Sequence, residues 1–315
     1  MSLHQRLHRL ITHAPAAPVQ ELHGKTIMVT GCGPDSIGFA TAKILAQRGA
    51  QLIVTTRKNS VASAADIARA AQVSASQVQG VDLDLLDSAS VRQCAAQVQH
   101  LCPQLDVLIN NAGIHLDLLR EHKSPQQSPD GEEIHWRCNY LGTVHLTQQL
   151  LPLLLATAAK TGDARVVHVA SMLHRKGSNA ELFTPPLKHD SWVSYGNSKL
   201  GLLHHAFELQ RHYAAASLQA YALHPGAVFT QVANKGLAGH AWIGAIRQRF
   251  AWLESLFLLT PEEGAQTSVY CATAPQLPGG RYFSACRVAA HHADADDAAV
   301  AARLYAQTQA HLEQL

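Results

Sequence analysis

The chain has 315 residues, of which 47% are hydrophobic and 15% charged, and its net charge is +2 with histidine neutral. That length buries a large core in one or two domains, and the apolar content excludes a disordered chain. Glycine (20 residues) follows no period and cysteine (6) is sparse, so collagen-like and disulfide-scaffold classes are excluded. The chain has neither a basic run nor an acidic tail, which gives no support to a nucleic-acid or membrane-surface partner.

Residues 1–23 read as a short amphipathic helix and a linker containing Pro15 and Pro18. They form an N-terminal helical extension to a domain expected over 24–315. The extension lacks the apolar core of a signal peptide. The richest apolar stretch, 150–159, contains Pro152 and falls short of the roughly 18 residues that span a bilayer. Cys32, Cys94, Cys102, Cys138, Cys271 and Cys286 form no Cys-x-x-Cys pair, as expected of free thiols in a reducing compartment. The expectation is a soluble, cytoplasmic protein with no membrane span. Twenty histidines predict a steep change of charge between about pH 5 and 7.

From residue 24 on, short β-type runs alternate with helical patterns. Strands are predicted at 26–30, 51–55, 78–83, 107–110, 165–170, 218–223 and 280–283. Helices are predicted at 38–47, 62–71, 88–101, 132–154 and 192–216. Their alternation predicts a doubly wound parallel α/β sheet of about seven strands with helices on both faces. The strand cores, such as Ile27-Met28-Val29 and Leu52-Ile53-Val54, are continuously apolar, as strands buried on both faces are. Residues 173–194 show little periodicity. Residues 231–259 are helix-like and rich in Trp, Phe and Leu. Thr260-Pro261-Glu262-Glu263 then opens a further helix with a capping-box pattern.

Four motifs carry chemistry. Thr30-Gly31-Cys32-Gly33-Pro34-Asp35-Ser36-Ile37-Gly38 follows a strand and opens a helix. Glycines there let backbone N–H groups approach a pyrophosphate at the positive helix end, although a Gly-rich turn is often only a turn. The next strand ends in Thr55-Thr56-Arg57-Lys58, with no acidic residue to accept from the ribose 2′-OH of NAD. Arg57 and Lys58 instead suit the 2′-phosphate of NADP, or are a solvated basic turn. Asn110-Asn111-Ala112-Gly113 lies at a strand's C-terminal edge, the ligand side of an open α/β sheet, where an ordinary turn also occurs. Tyr195 and Lys199, four apart on a predicted helix, share a face. A nearby ammonium stabilises a phenolate, which makes the phenol an acid–base group nearer neutral pH. His4/His8 and His204-His205 match no metal-site spacing, and no metal is expected.

Taken together, these motifs resemble the short-chain dehydrogenase/reductase family, over about residues 24–310. Thr-Gly…Gly, Asn-Asn-Ala-Gly and Tyr-x-x-x-Lys occur in the family's order. Asp84-Leu85 is similar to the adenine-contacting pair, with Asp82-Leu83 as the alternative register. Asn139 matches the active-site Asn of the long central helix. Ser171, after the strand Val166-Val167-His168-Val169-Ala170, matches the catalytic Ser. Pro225, Gly226, Val228 and Thr230 resemble the segment that contacts the nicotinamide carboxamide. The 24-residue step from Ser171 to Tyr195 and the late Gly280-Arg281-Tyr282-Phe283-Ser284-Ala285-Cys286 are similar to the retinol-dehydrogenase and protochlorophyllide-reductase-like branch. In one departure, the glycine turn is a residue longer than the family's, and Ser36 replaces the middle Gly, with a hydroxyl within reach of a phosphate.

The resemblance implies NADP(H) as cofactor and carbonyl–alcohol interconversion on a moderately large apolar small molecule. Tyr195 is the acid/base, Ser171 orients the substrate oxygen, Lys199 binds ribose and lowers the Tyr195 pKa, and Asn139 holds a relay water. Gly31, Gly33, Ser36, Ile37, Gly38, Arg57, Lys58, Asp84, Leu85, Asn111, Ala112 and Gly113 belong to the cofactor site with the carboxamide segment. His174 and Arg175 are expected to face the substrate. Residues 231–259 are expected to form a substrate lid in which Trp242, Phe250, Trp252, Leu256, Phe257 and Leu258 line a pocket or simply pack on the core. A homo-dimer or homo-tetramer through the helices of Asn139 and Tyr195 is implied. Reduction of an enone C=C bond and an NADP-binding scaffold without turnover remain the alternatives.

Overall fold

The computed structural model describes residues 15–18, 20–119, 124–184, 188–228 and 258–314. The strands are β1 (Thr26–Val29), β2 (Gln51–Thr56), β3 (Val78–Asp82), β4 (Val107–Asn110), β5 (Ala164–Val169), β6 (Leu218–His224), β7 (Arg281–Ser284) and β8 (Arg287–Val288). They form one sheet in the order β3-β2-β1-β4-β5-β6-β7-β8. Every pairing is parallel except the last, in which the two residues of β8 return antiparallel on β7. β8 was not foreseen, because two exposed residues carry no periodic signal. The order reverses between β1 and β4, so the crevice of the fold opens where Gly31 and Asn111 leave the sheet.

Helices cover both faces. α1 (Ile37–Gln47), α2 (Ser60–Ala71) and α6 (Pro261–Thr273) lie on one side. α3 (Ser88–Leu101), α4 (Thr143–Thr161) and α5 (Ser191–Tyr213) lie on the other. The alternation of strand side chains sorts the core: Ile27 and Val29 join the first layer, and Met28 between them joins the second. The predicted capping box is formed. The Thr260 hydroxyl accepts from the Glu263 N–H at 3.2 Å, and the Glu263 carboxylate accepts from the Thr260 N–H at 2.9 Å.

Two elements differ from the sequence expectation. The predicted helix over 132–154 begins with a π-helical stretch, Trp136–Gly142, that precedes α4. A helix without prediction, α7 (Ala298–Leu312), packs across α5, with Leu304 and Leu312 in a cluster with Tyr140, Leu141, Val144 and Leu202. The Tyr140 and Thr308 hydroxyls share a hydrogen bond of 2.9 Å within it. Among the described residues, no helix is long and apolar enough to cross a membrane. Residues 1–14, the body of the expected N-terminal helix, and 229–257, most of the expected lid with Thr230, lie outside the described residues.

A cavity of about 570 Å³ opens at the N-terminal edge of the sheet, away from the crevice. Its charged and hydroxyl groups are partnered: Lys25 with Asp106, Arg165 with Asp163, and the Tyr221 hydroxyl with the Leu277 carbonyl.

Histidines fill polar positions inside the layers. His168 on β5 contacts the Asn110 side chain at 3.2 Å and the His205 imidazole on α5 at 2.9 Å. Burial is the leading cause that lowers the pKa of His115, His145, His174, His204 and His224 to about 4. It lowers His205 to about 3 and His168 well below its usual value. The expected titration between pH 5 and 7 therefore does not occur in the folded chain at these seven sites. It appears in stability instead. A depressed folded pKa means that the unfolded chain binds more protons below about pH 6.5, so stability is present above that pH and lost below it. Each such histidine removes about 1.4 kcal/mol per pH unit in this window. Denaturant titrations from pH 7 downward should show the midpoint falling steeply, with acid unfolding between about pH 4 and 6.

Candidate active site

The crevice is built first from backbone. Gly31 leaves β1 at φ +74°, and a Cβ there would sit 2.8 Å from the Ala112 Cα. A Cβ on Gly38 would meet the Gly31 carbonyl oxygen at 2.4 Å and the Asn111 side chain at 2.6 Å. The two turns thus touch through hydrogens alone. The Thr30 hydroxyl accepts from the N–H groups of Asn111 (3.0 Å) and Ala112 (2.9 Å), and the Asn111 amide donates to the Thr30 carbonyl at 2.8 Å. Thr30 is a clamp that the sequence reading did not single out. A small polar residue at a strand end carries no distinctive pattern.

Ser36 is the N-cap of α1. Its hydroxyl accepts from the Phe39 N–H at 3.0 Å and donates to the Gly33 carbonyl at 2.6 Å. The extra residue of the turn is thereby folded back on itself, and the hydroxyl expected near a phosphate caps the helix instead. Space for a ligand lies over Gly33, where an added Cβ would meet nothing within 4 Å. An open cradle over a helix N-terminus fits a pyrophosphate.

Arg57 and Lys58 are exposed just beyond β2, whose Thr55 carbonyl accepts from the Cys32 N–H at 2.8 Å and so ties the strand end to the glycine turn. The two Asp-Leu registers have different surroundings. Asp82 accepts from the Ser60 N–H at the start of α2, and Asp84 accepts from the Leu86 N–H inside the loop. The Leu85 carbonyl receives the Nη1 of Arg137, a fully buried guanidinium that also reaches Ser88 at 2.9 Å and the Asp130 carboxylate at 2.5 Å. Gly226 stands at φ +92° with Leu259 packed where a Cβ would be, and Val228 bridges to Leu259. Pro225 follows directly on β6.

Asn139 lies in the π-helical stretch and is fully buried. Its Oδ1 accepts from the Ile114 N–H (2.8 Å), and its Nδ2 donates to the Ile114 carbonyl (2.9 Å) and the Ser198 hydroxyl (3.1 Å). Both amide hydrogens are thus committed to protein atoms. Gly113 sits against it, since a Cβ there would be 3.1 Å from the Asn139 Oδ1 and 3.3 Å from the Lys199 Nζ.

Ser171 follows β5 and caps a short 3-10 turn, Met172–Lys176. Tyr195 and Lys199 project from α5. The Ser171 hydroxyl lies near enough to the Tyr195 phenol to draw its pKa down, and the Lys199 Nζ donates to the Val169 carbonyl at 2.9 Å and lies 5.6 Å from the Tyr195 ring centroid. Burial pushes the phenol up to about 12 against the opposing effect of the Ser171 hydroxyl, and pushes Lys199 down to about 8. The expected lowering of the phenol by the ammonium is not found here, where desolvation leads.

His174, expected to face the substrate, is turned inward, and Arg175 is exposed. His174 is fully buried, with Nδ1 2.5 Å from the Ser171 carbonyl oxygen and Nε2 accepting from the His292 N–H at 3.1 Å. Arg175 donates to the Ala290 carbonyl. Both fasten the turn after Ser171 to the segment after β8. In contrast, His115 and His135 flank Tyr195 and were missed, because a lone His, in a loop or at a helix start, carries no spacing signal.

The sequence profile of a family described as short chain dehydrogenase matches residues 25–239. Retinol dehydrogenase 14 of Mus musculus is 35% identical over 297 residues, 90% of this chain and 84% of that protein. Dehydrogenase/reductase SDR family member 13 of Bos taurus is 33% identical over 289 residues, 89% of this chain and 71% of the relative. A crystal structure of an uncharacterized protein from Mycobacterium Paratuberculosis superposes with a TM-score of 0.69 at 30% identity, covering 94% of this chain and 96% of that one. The doubly wound sheet and these relatives define an oxidoreductase of the Rossmann type, and the chain belongs to the short-chain dehydrogenase/reductase family. Within the family it falls in the retinol-dehydrogenase-like branch.

The capping role of Ser36 makes a separable prediction. Ser36→Ala should lower stability by about 1 kcal/mol, the usual worth of an N-cap. In the same variant the NADPH dissociation constant should stay within about twofold, because the hydroxyl already serves backbone groups. Thermal unfolding and nucleotide titration read the two effects.

Proposed function

We propose that the chain is an NADP(H)-dependent oxidoreductase that interconverts a carbonyl and an alcohol on a moderately large apolar small molecule. The observation that carries this reading is the Lys199 ammonium beside the Tyr195 ring, with the Ser171 hydroxyl facing the same phenol. When bound, the nicotinamide supplies or accepts the hydride. Tyr195 gives its phenol proton to the oxygen of the nascent alcohol and recovers it in the reverse direction. Ser171 orients that oxygen by an oxyanion-type hydrogen bond. Lys199 holds the ribose hydroxyls. Asn139 acts mainly through Ile114, because its side chain leaves only one Oδ1 lone pair for a relay water. Gly31, Gly33, Gly38 and the first turn of α1 cradle the pyrophosphate, and Arg57 and Lys58 bind the 2′-phosphate.

The apolar substrate class is supported by two exposed hydrophobic side chains on the segments that follow Ser171 and His115. Met172 follows Ser171 and is 57% exposed, and Leu119 lies at the end of the loop after β4 and is 43% exposed. Relatives named retinol dehydrogenases agree with a substrate of this kind. Six free thiols suit a reducing cytoplasm. A homo-dimer or homo-tetramer would have to form with α7 already lying over α5.

Two measurements test the proposal. Arg57→Ala should weaken NADPH binding about 10- to 100-fold, the worth of a charge-assisted phosphate contact, and leave NADH binding unchanged. Equal binding of both nucleotides by the parent protein would remove the NADP assignment. Tyr195→Phe should lower kcat about 100- to 10,000-fold on a panel of apolar aldehydes and retinol while NADPH still binds. An enone in the panel should be returned as the unsaturated alcohol, and a saturated ketone would make the chain a C=C reductase.

A further inference from the structure

Tyr195 is the only member of the Ser171–Tyr195–Lys199 set whose ring plane must be fixed for the proton to be delivered along one line. The ring that lies against its face is His115. The two rings are stacked at 4.1 Å between centroids and 14° between planes. Trp192 meets the other side of the arrangement edge-on, 5.0 Å from the imidazole centroid, and His135 stands perpendicular at 5.9 Å.

The backbone on both sides of His115 is anchored at Ile114, Leu116, Asp117 and Leu118. Ile114 gives both its N–H and its carbonyl to Asn139. The Leu116 N–H donates to the His135 Nε2 at 2.9 Å, which leaves the proton of that ring on Nδ1, 2.7 Å from the Glu133 carboxylate. The Asp117 carbonyl accepts from the Ser191 hydroxyl at 2.7 Å, and the Leu118 carbonyl from the Trp192 Nε1 at 3.1 Å. The loop is therefore tied both to the π-helical stretch and to the first turn of α5, the helix that carries Tyr195. His115 is buried, and among the described residues its Nε2 has no hydrogen-bond partner. A buried imidazole with an idle nitrogen is costly for a residue whose role is only to fill space. Burial, His135 and Lys199 all act to keep it neutral, so it brings no second charge to the phenol.

We propose that His115 is a positioning residue: its imidazole face sets the plane of the Tyr195 phenol and thereby the line along which the proton is passed. The inference rests on the carbonyl–alcohol reading for its effect on turnover, but the ring contact itself can be tested without turnover.

The experiment compares the parent protein with His115→Ala, which removes the stack, and His115→Phe, which keeps an aromatic face and removes both nitrogens. With NADPH and the most active aldehyde of the panel, His115→Ala should lose about 10- to 100-fold in kcat, since displacement of a reacting group by about 1 Å costs this much, with KM and NADPH affinity within about twofold. His115→Phe should restore kcat to within about threefold. In parallel, NMR of protein labelled with ¹³C-tyrosine, with the Tyr195 ring assigned by its loss in Tyr195→Phe, reads the rate of ring flipping. Flipping should accelerate in His115→Ala and return to the parent rate in His115→Phe. An unchanged flip rate in His115→Ala would overturn the proposal. So would a rise of KM in both variants with kcat intact, which would make Nε2 a substrate contact. A parent protein without turnover would overturn the proposed function, and the flip rates would still decide the role of His115.

Discussion

A backbone that leaves a sheet loses the neighbours that satisfied its N–H and C=O groups, and burying those groups unpaired is costly. Segment 111–118 crosses the crevice under this constraint, and the site depends on how it is met. Thr30 takes two of its N–H groups, Asn139 takes both groups of Ile114, and His135 takes that of Leu116. Ser191 and Trp192 take the last two carbonyls. The anchors come from three stretches of chain, so the loop gathers β1, the π-helical stretch and α5 around one point. The π-helical winding of 136–142 belongs to the same arrangement, since it holds Asn139 inward and places Gly142 so close to the Leu85 carbonyl that a Cβ would lie 2.2 Å from it.

The electrostatics follow from that closure. Tyr195 and Lys199 are both withdrawn from water, and withdrawal moves a phenol up and an ammonium down. The phenol is therefore held protonated, and the ammonium sits within reach of neutral pH. The pair is stored in a state that resists charge separation. An anionic ligand beside Lys199 would strengthen its charged form, so the acid–base character of the site is completed by what binds rather than fully present beforehand.

Much of the architecture was legible in the sequence because continuous apolar runs such as Ile27-Met28-Val29 and turn chemistry such as Thr260-Pro261-Glu262-Glu263 are local signals. The seven predicted strands all appear, and the motif residues Gly31, Gly38, Asn111, Ser171, Tyr195 and Lys199 converge on the crevice. Features decided by tertiary contacts were not legible. Ser36 caps a helix because the longer turn folds back onto Gly33, which no spacing rule encodes. His174, next to Ser171 in sequence, turns inward because Tyr282 and the His292 amide receive it there. α7 has only four buried side chains, too faint a stripe to stand out before α5 is present to receive it. His115 gained its place from the stack on Tyr195, a contact across 80 positions of sequence.

The packing of α7 on α5 has a temporal side. Every strand, and the whole Ser171–Tyr195–Lys199 set, is made before α7 during synthesis, and until α7 arrives the outer face of α5 is bare. Leu202 then lacks Leu304 and Leu312, and the Tyr140 hydroxyl lacks Thr308. Without α7, Leu202 and the Tyr140 hydroxyl would lose these partners on the side of α5 that faces away from the sheet.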